Sequence, residues 1–96
     1  MSMLSFYFIS DEQPNTTFSK QLKYAGGIVE EEFEMAQNAG LIENQADYYG
    51  KFRWSGKQVS DKVHLLAGCP FRGKIELNDI LVQAKTAGVG LIAFGD

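Results

Sequence analysis

The sequence predicts an α+β protein: one compact domain over residues 1–96, with two to three helices packed on one face of a mixed or antiparallel sheet of four to five strands. Two patterns support this prediction. Residues 77–87 repeat apolar side chains at helical spacing, and the stretches 3–9 and 91–94 are apolar on both alternating faces, as central strands are. With 96 residues, 45% of them hydrophobic, the chain can bury a core without a disulfide or a metal.

The chain is predicted to begin with a central strand at Met3–Ile9, where two largely apolar sets of side chains alternate. Residues 10–15 are interpreted as a loop, because aspartate, serine and proline favour turns. Residues 16–25 fit one face of a helix or a strand; we prefer the helix and leave the strand open. Gly26–Gly27 then interrupt the pattern.

A helix is predicted at Ile28–Ala39, ending at Gly40. Its apolar residues fill an arc of roughly 160° on a helical wheel. Glu32 projects near the centre of this arc, which is the sharpest anomaly in the sequence. The opposite side is acidic and polar, and it carries Glu30, Glu31, Glu34, Gln37 and Asn38.

The middle of the chain is predicted as a connection, then a strand, then a segment that fits either a strand or a helix. Residues 41–47 form a connection that opens with a short strand, and Tyr48–Trp54 alternate as a strand. Ser55–Gly56 are interpreted as a two-residue hairpin turn, because glycine readily takes the positive φ of such turns. Residues 57–66 then form the returning strand, with a short helix over 60–67 as the alternative.

The last third is predicted as a helix that returns the chain to the sheet. A break at 68–73 precedes the amphipathic helix at 77–87, in which only Val82 lies on the wrong side. Gly88 follows where a left-handed closing residue is expected, and the apolar run 91–94 is the second central strand.

The charge is unevenly distributed along the chain. The formal net charge is −3, but residues 1–50 hold eight acids against two lysines, whereas residues 51–74 hold six basic residues against one acid. Such asymmetry can steer a charged partner. It can equally be neutralised within the fold or across a dimer interface, and the sequence leaves both possibilities open.

Composition favours a cytoplasmic protein that does not enter a membrane. The single cysteine, Cys69, excludes an internal disulfide and suits a reducing compartment. The sequence has no run of about 20 apolar residues and no secretion signal over its first ten residues.

No stretch of the sequence carries a specific catalytic motif, so we expect no catalytic residue, no cofactor and no metal. His64 and Cys69 are the only residues of their types, and nothing marks a third group that would orient them. Paired-ligand spacing for zinc or calcium is missing. Gly88 and Gly90 close a helix, whereas a phosphate-binding loop opens one.

Three classes of function remain. The first is a small non-enzymatic binding module of the inhibitor or immunity-protein type, in which Glu30, Glu31 and Glu34 meet a basic partner protein. The second is a small-ligand-binding domain with a pocket between helix and sheet. Its candidate residues are Glu32, Phe33, Tyr48 and Trp54. The third, an enzyme that uses Glu32 as acid or base, has least support, because a structural ion pair or simple exposure also explains that residue.

Nucleic acid and a second copy of the chain are two further candidate partners. Aromatic and basic side chains alternate over 48–54, as on sheets that bind single-stranded nucleic acid. Nucleic acid is not favoured, because Lys51 and Arg53 would point away from Phe52 and Trp54. A homodimer is expected instead, since a first strand with two apolar faces needs cover. Its interface residues would come from Met3, Tyr7 and Tyr49.

Overall fold

The computed structural model describes residues 3–14, 22–68 and 76–95, which form four strands and three helices. In chain order these are β1 (Leu4–Ile9), β2 (Lys23–Ile28), α1 (Glu30–Asn38), β3 (Lys51–Trp54), α2 (Gly56–Gly68), α3 (Glu76–Ala87) and β4 (Gly90–Phe94). The predicted α+β class, its single compact domain and its strand number are confirmed. None of the described helices combines the length and apolar character that crossing a bilayer requires.

The two apolar stretches that predicted central strands lie side by side. The sheet is antiparallel with the order β2-β1-β4-β3, so that β1 and β4 occupy its centre. Ser5 lies opposite Phe94, and Ile9 lies opposite Gly90. On the side toward the helices Leu4, Phe6, Leu91 and Ala93 are fully buried, and Phe8 is partly buried.

All three helices contribute to one core on the same face of the sheet. From the helices it takes Phe33, Ala36, Val59, Leu77, Ile80, Leu81 and Ala84, and from the sheet Leu4, Phe6, Ile28, Trp54, Leu91 and Ala93. Burying one such large apolar side chain stabilises the fold by roughly 1.5–3 kcal/mol. The helix layer is therefore held to the sheet mainly by apolar burial.

The preferred helix over 16–25 is wrong where the structure describes it, because Lys23–Ile28 form β2. Residues 16–21 lie outside the described ranges. The glycines that were interpreted as an interruption belong to the strand. Gly26 has φ +146°, and a Cβ there would come within 2.9 Å of Ile80 Cγ1, so glycine permits α3 to approach closely.

The helix α1 begins two residues later than predicted and ends one residue earlier, at Asn38, with the predicted glycine closure at Gly40. Ile28 belongs to β2, and Val29 is still extended with ψ 164°. At the other end Gly40 has φ +83°, and the Leu41 N–H donates to the Ala36 carbonyl at 2.9 Å in a Schellman closure. No strand forms at Leu41–Ile42, although both side chains are buried.

The predicted hairpin at Ser55–Gly56 is wrong, because a helix starts there. The Ser55 hydroxyl accepts a hydrogen bond from the Gln58 N–H at 3.1 Å, and the Gln58 side chain accepts one from the Ser55 N–H at 2.8 Å. This reciprocal pair is a capping box. The Asp11 carboxylate adds a second cap by accepting from the Gly56 N–H at 2.9 Å. The returning strand over 57–66 is therefore replaced by α2.

The helix α3 and the strand β4 confirm the predictions for the last third of the chain. Val82 is 48% exposed, in agreement with its place on the wrong side of the apolar stripe. Gly88 has φ +72° and closes the helix. Gly90 begins β4 so close to β3 that a Cβ would overlap the Trp54 carbonyl oxygen. The predicted break at 68–73 lies outside the described residues, apart from Gly68.

Candidate functional site: an acidic groove beside α1

The acids predicted to contact a partner all lie on the exposed side of α1. Glu30 and Glu31 occupy the first turn, where negative charge is stabilised by the positive end of the helix dipole, and Glu34 follows one turn later. The side chain of Phe33 points the other way and is 4% exposed. One short helix thus presents carboxylates to solvent while it contributes to the core.

A groove of about 290 Å³ runs between this helix face and the loop before β3. Its lining residues, which define the acidic groove, are Glu30, Phe33, Glu34, Gln37, Ala46, Asp47, Tyr48 and Tyr49. The Gln37 side-chain amide fixes the loop by donating to the carbonyls of Glu43 at 3.0 Å and Ala46 at 3.2 Å. The walls of the groove are therefore tied together by hydrogen bonds.

The acidic groove combines carboxylates with an exposed aromatic ring. Tyr49 is 57% exposed, and its hydroxyl donates to Glu30 Oε2 at 3.3 Å. The negative charge of Glu30 raises the pKa of Tyr49 above its ordinary value, so the phenol keeps its proton. None of the lining residues is a lysine or an arginine. Within the described ranges, Glu30, Glu34 and Asp47 have no ion-pair partner.

The four residues predicted to bind a small ligand do not share one cavity. Phe33 and Tyr48 form the buried wall of the acidic groove, with ring centroids 5.4 Å apart. Trp54 is 3% exposed and borders a second groove beside β3. Glu32 lies elsewhere and bonds to α3. Ligand binding by these residues stays a prediction.

Glu32 has a structural partner that explains its place in the apolar arc. Its Oε2 accepts a hydrogen bond from the backbone N–H of Leu77 at 2.9 Å. Leu77 lies in the first turn of α3, where N–H groups have no partner within the helix. The partly buried carboxylate therefore caps α3 and joins it to α1. The helical pattern shows that Glu32 is an exception on the apolar side of α1, but no feature of the sequence identifies the Leu77 N–H as its partner.

A buried lysine organises the far side of the core, and sequence reasoning missed it. Lys62 is 6% exposed, and its Nζ donates to the Leu41 carbonyl at 2.6 Å and to Glu43 Oε2 at 2.9 Å. The same ammonium lies 4.4 Å from the Trp54 ring centroid, and Trp54 Nε1 donates to Glu43 Oε1 at 2.9 Å. The only signal was a lysine within an otherwise apolar stripe of α2.

The Glu43 carboxyl has a lowered pKa as a result of this network. Partial burial acts in the opposite direction and is the largest single influence. Hydrogen bonds from Lys62, from the backbone of Glu43 itself and from Trp54, together with the positive charge of Lys62, outweigh it. Glu43 is therefore held ionised as part of the fold.

Two other surfaces lie outside the acidic groove. An apolar groove of about 480 Å³ lies between α3 and the sheet and is lined by Phe8, Lys23, Val82, Gln83, Thr86, Ala87 and Val89. The outer sheet face, opposite the helices, carries Tyr7, Tyr24, Ile92, Phe94, Lys51 and Arg53. Of the residues predicted for a dimer interface, Met3 and Tyr7 belong to the side of the outer sheet face, whereas Tyr49 lines the acidic groove. Self-association stays a prediction.

The structure adds little to the catalytic and metal candidates. His64 is exposed on α2, and Cys69 lies outside the described residues. Within ranges 3–14, 22–68 and 76–95, no group of three His, Cys, Asp or Glu residues is placed to hold a metal ion. Gly88 and Gly90 close α3 and open β4.

The chain matches no protein-family model, no curated protein and no solved structure.

Proposed function

We propose that this protein is a small non-enzymatic binding module, of the inhibitor or immunity-protein type, whose acidic groove receives a basic segment of a partner protein. One observation carries the proposal: Glu30, Glu34 and Asp47 line a groove that contains an exposed tyrosine and no basic side chain. Carboxylates without cationic partners are complementary to lysine and arginine, and they accelerate association with a basic surface.

The exposed ring of Tyr49 adds a contact that carboxylates alone lack. A guanidinium or ammonium group that enters the groove can lie over the ring while it pairs with Glu30 or Glu34. Tyrosine is also enriched at the centres of interfaces, because it buries a large area at little cost in rotamer entropy. The groove therefore suits an arginine- or lysine-containing segment better than an isolated metal ion.

A short arginine-rich peptide tests the proposal by NMR. We expect amide shifts to change for Glu34, Asp47 and Tyr49, with an affinity that falls as salt rises, because exposed charges are screened. Glu34→Lys should abolish the shifts, whereas Asp61→Lys, which makes the same charge change on the exposed side of α2, should leave them in place. Equal loss in both variants would show attraction to net charge and would contradict a defined site.

A second candidate is the small-ligand-binding domain, and the apolar groove favours it. Val82, the exception in the helical pattern of α3, lines that groove opposite Phe8, with Lys23 as its one charged residue. An apolar carboxylic acid fits this chemistry. Dodecanoate should raise the melting temperature in a thermal-shift measurement, and Val82→Glu should remove the effect, if a ligand of this class binds there.

The cytoplasmic location belongs to the same proposal. It depends on the single cysteine, which suits a reducing compartment.

A further inference from the structure

One wall of the acidic groove is a tight turn before β3, the Asp47–Gly50 turn. The Gly50 N–H donates to the Asp47 carbonyl at 3.0 Å, and the Tyr49 N–H donates to Asp47 Oδ1 at 3.0 Å. Asp47 and Tyr49 both line the groove. These bonds shape the turn, and contacts at its two ends set its position against α1.

Both ends of the Asp47–Gly50 turn are held by segments distant in sequence. Before the turn, the Gln37 side-chain amide of α1 donates to the Ala46 carbonyl at 3.2 Å. After the turn, the Gly95 N–H donates to the Gly50 carbonyl at 2.8 Å, which extends the pairing of β3 with β4 by one residue. The end of β4 therefore supports one wall of the acidic groove, although Gly95 does not line it.

Gly95 lies so close to the Asp47–Gly50 turn that no side chain fits at position 95. A Cβ there would overlap the Tyr48 carbonyl oxygen, and it would lie 2.6 Å from both the Cα and the carbonyl carbon of Tyr49. Nonbonded carbon atoms stay about 3.5 Å or more apart, so the turn or the end of β4 would have to move by about 1 Å. The obstacle is backbone, which cannot rotate aside as the tip of a side chain can.

A shift of this size is enough to separate Tyr49 from α1. The Tyr49 hydroxyl donates to Glu30 Oε2 at 3.3 Å, which is already longer than the usual O–H···O distance of about 2.5–3.0 Å. The neighbouring Tyr48 ring is buried against Phe33, so the turn presents one ring to the core and one to the groove. A displacement of the backbone between them therefore changes the positions of both rings.

We propose that Gly95 is a positioning residue of the acidic groove: because it has no side chain, β4 can hold the Asp47–Gly50 turn where Tyr49 meets the basic segment. This inference rests on the proposed function and adds the part of the chain that orders the groove before its partner arrives. Such preorganisation lowers the entropy cost of binding. The coupling is reciprocal, because a partner that prefers the held turn must stabilise the contact of Gly95 with Gly50 by the same free energy.

Two measurements on Gly95→Ala test the positioning. The pKa of Tyr49, which Glu30 raises in the wild type, should fall toward its ordinary value as the two side chains separate. The affinity for the arginine-rich peptide should weaken at least about fivefold, because the groove loses its preorganisation. Gly88→Ala is the matched control. Its positive φ destabilises the fold, but its Cβ meets no atom within 4 Å, so both values should stay unchanged.

Gly50→Ala provides the test if Gly95→Ala does not fold. Its added Cβ lies 3.2 Å from Asp47 Cβ, within the turn itself, so both measurements should change in the same direction by a smaller amount. Hydrogen exchange on the wild type requires no substitution. The Gly95 N–H should exchange more slowly when the arginine-rich peptide saturates the groove, whereas the Gly88 N–H, which donates to the Lys85 carbonyl at the far end of β4, should not.

Three results would overturn the proposal. These are an unchanged Tyr49 titration in folded Gly95→Ala, equal loss of peptide affinity in Gly95→Ala and Gly88→Ala, and a Gly95 exchange rate that saturating peptide leaves unaltered. If the wild type does not bind the peptide, the proposed function fails, while the Tyr49 titration still shows whether Gly95 positions the turn. The two failures are therefore distinguishable.

Discussion

The Glu32 carboxylate of α1 accepts a hydrogen bond at 2.9 Å from the backbone N–H of Leu77, in the first turn of α3. The contact gives that N–H a partner and places a negative charge at the positive end of the helix. It also explains why an acid occupies the apolar side of α1.

Replacement of Glu32 should destabilise the fold, and the loss should be larger when both the hydrogen-bond acceptor and the charge are removed. Glu32→Ala leaves the Leu77 N–H without its partner, and we expect a loss of about 1–2 kcal/mol in the free energy of unfolding. Glu32→Gln keeps an acceptor oxygen but loses the charge, so its cost should be about 0.5–1 kcal/mol. Urea unfolding measures both. Glu31→Ala is the control, and a Glu32→Ala value equal to it would show that the hydrogen bond contributes nothing.

The ammonium group of Lys62 should be required for full stability. Lys62→Met removes the donor to the Leu41 carbonyl and the partner of Glu43, and we expect a loss of about 1–3 kcal/mol. Trp54, the only tryptophan, reports unfolding by fluorescence. Lys57→Met, at an exposed position of the same helix, should change stability by less than about 0.5 kcal/mol. Equal stability of the two variants would contradict this role.

Acid should weaken the same network through Glu43. The pKa of Glu43 in the folded protein lies below its ordinary value of 4.5, so ionised Glu43 favours folding. This contribution is present above pH 4.5 and is lost as the pH falls through the folded-state pKa. Because the side chain is 42% exposed, solvent screening keeps it to at most about 1 kcal/mol. Glu43→Gln should lose less stability than the wild type between pH 7 and about pH 3, and identical losses would disprove the assignment.

Gly90 should tolerate no side chain. A Cβ at this position overlaps the Trp54 carbonyl oxygen, so Gly90→Ala forces β3 and β4 apart and should cost roughly 3 kcal/mol. Gly88→Ala is the matched comparison, since its positive φ is unfavourable for alanine but no atom lies within 4 Å of the added Cβ. We expect about 1 kcal/mol there. Thermal unfolding gives both values, and the opposite order would contradict the close approach.

The acidic groove should be detectable through the ionisation of Tyr49. Glu30 raises the pKa of Tyr49 above its ordinary value of 10.0, so Glu30→Gln should lower that pKa. The ring carbon next to the hydroxyl reports the titration by NMR. Glu31→Gln, which changes a neighbouring exposed acid outside the groove, is the control. An unchanged Tyr49 titration in Glu30→Gln would show that the two side chains do not interact in solution.

The elements predicted best from the sequence are those whose apolar pattern lies entirely within one continuous segment. The apolar stripe of α3 and the two-sided apolar runs of β1 and β4 each specify both an element and its burial. The α2 helix was predicted only as a short alternative over 60–67, although its capping box was present in Ser55 and Gln58, because the serine–glycine pair also matches a hairpin turn. The Asp11 cap on the same helix had no local signal, since it comes from the loop after β1.

The candidate site could be predicted only in part for the same reason. The acids of α1 follow from helical periodicity, but Asp47 and Tyr49 join them through the fold of a loop. The outer sheet face depends on strand order, which brings Phe94 between Tyr7 and Lys51. Contacts between distant segments leave no periodic trace in a single sequence.

The pairing of β1 with β4 affects when the chain can fold during its synthesis. The register that pairs Ser5 with Phe94 closes a loop around nearly all of the described chain, and contacts of such long range slow folding. During synthesis β1 and β2 emerge early, yet a lone hairpin is only marginally stable in water. We expect the nascent chain to stay open to proteases and chaperones until Gly90–Phe94 leave the ribosome, and to fold only then.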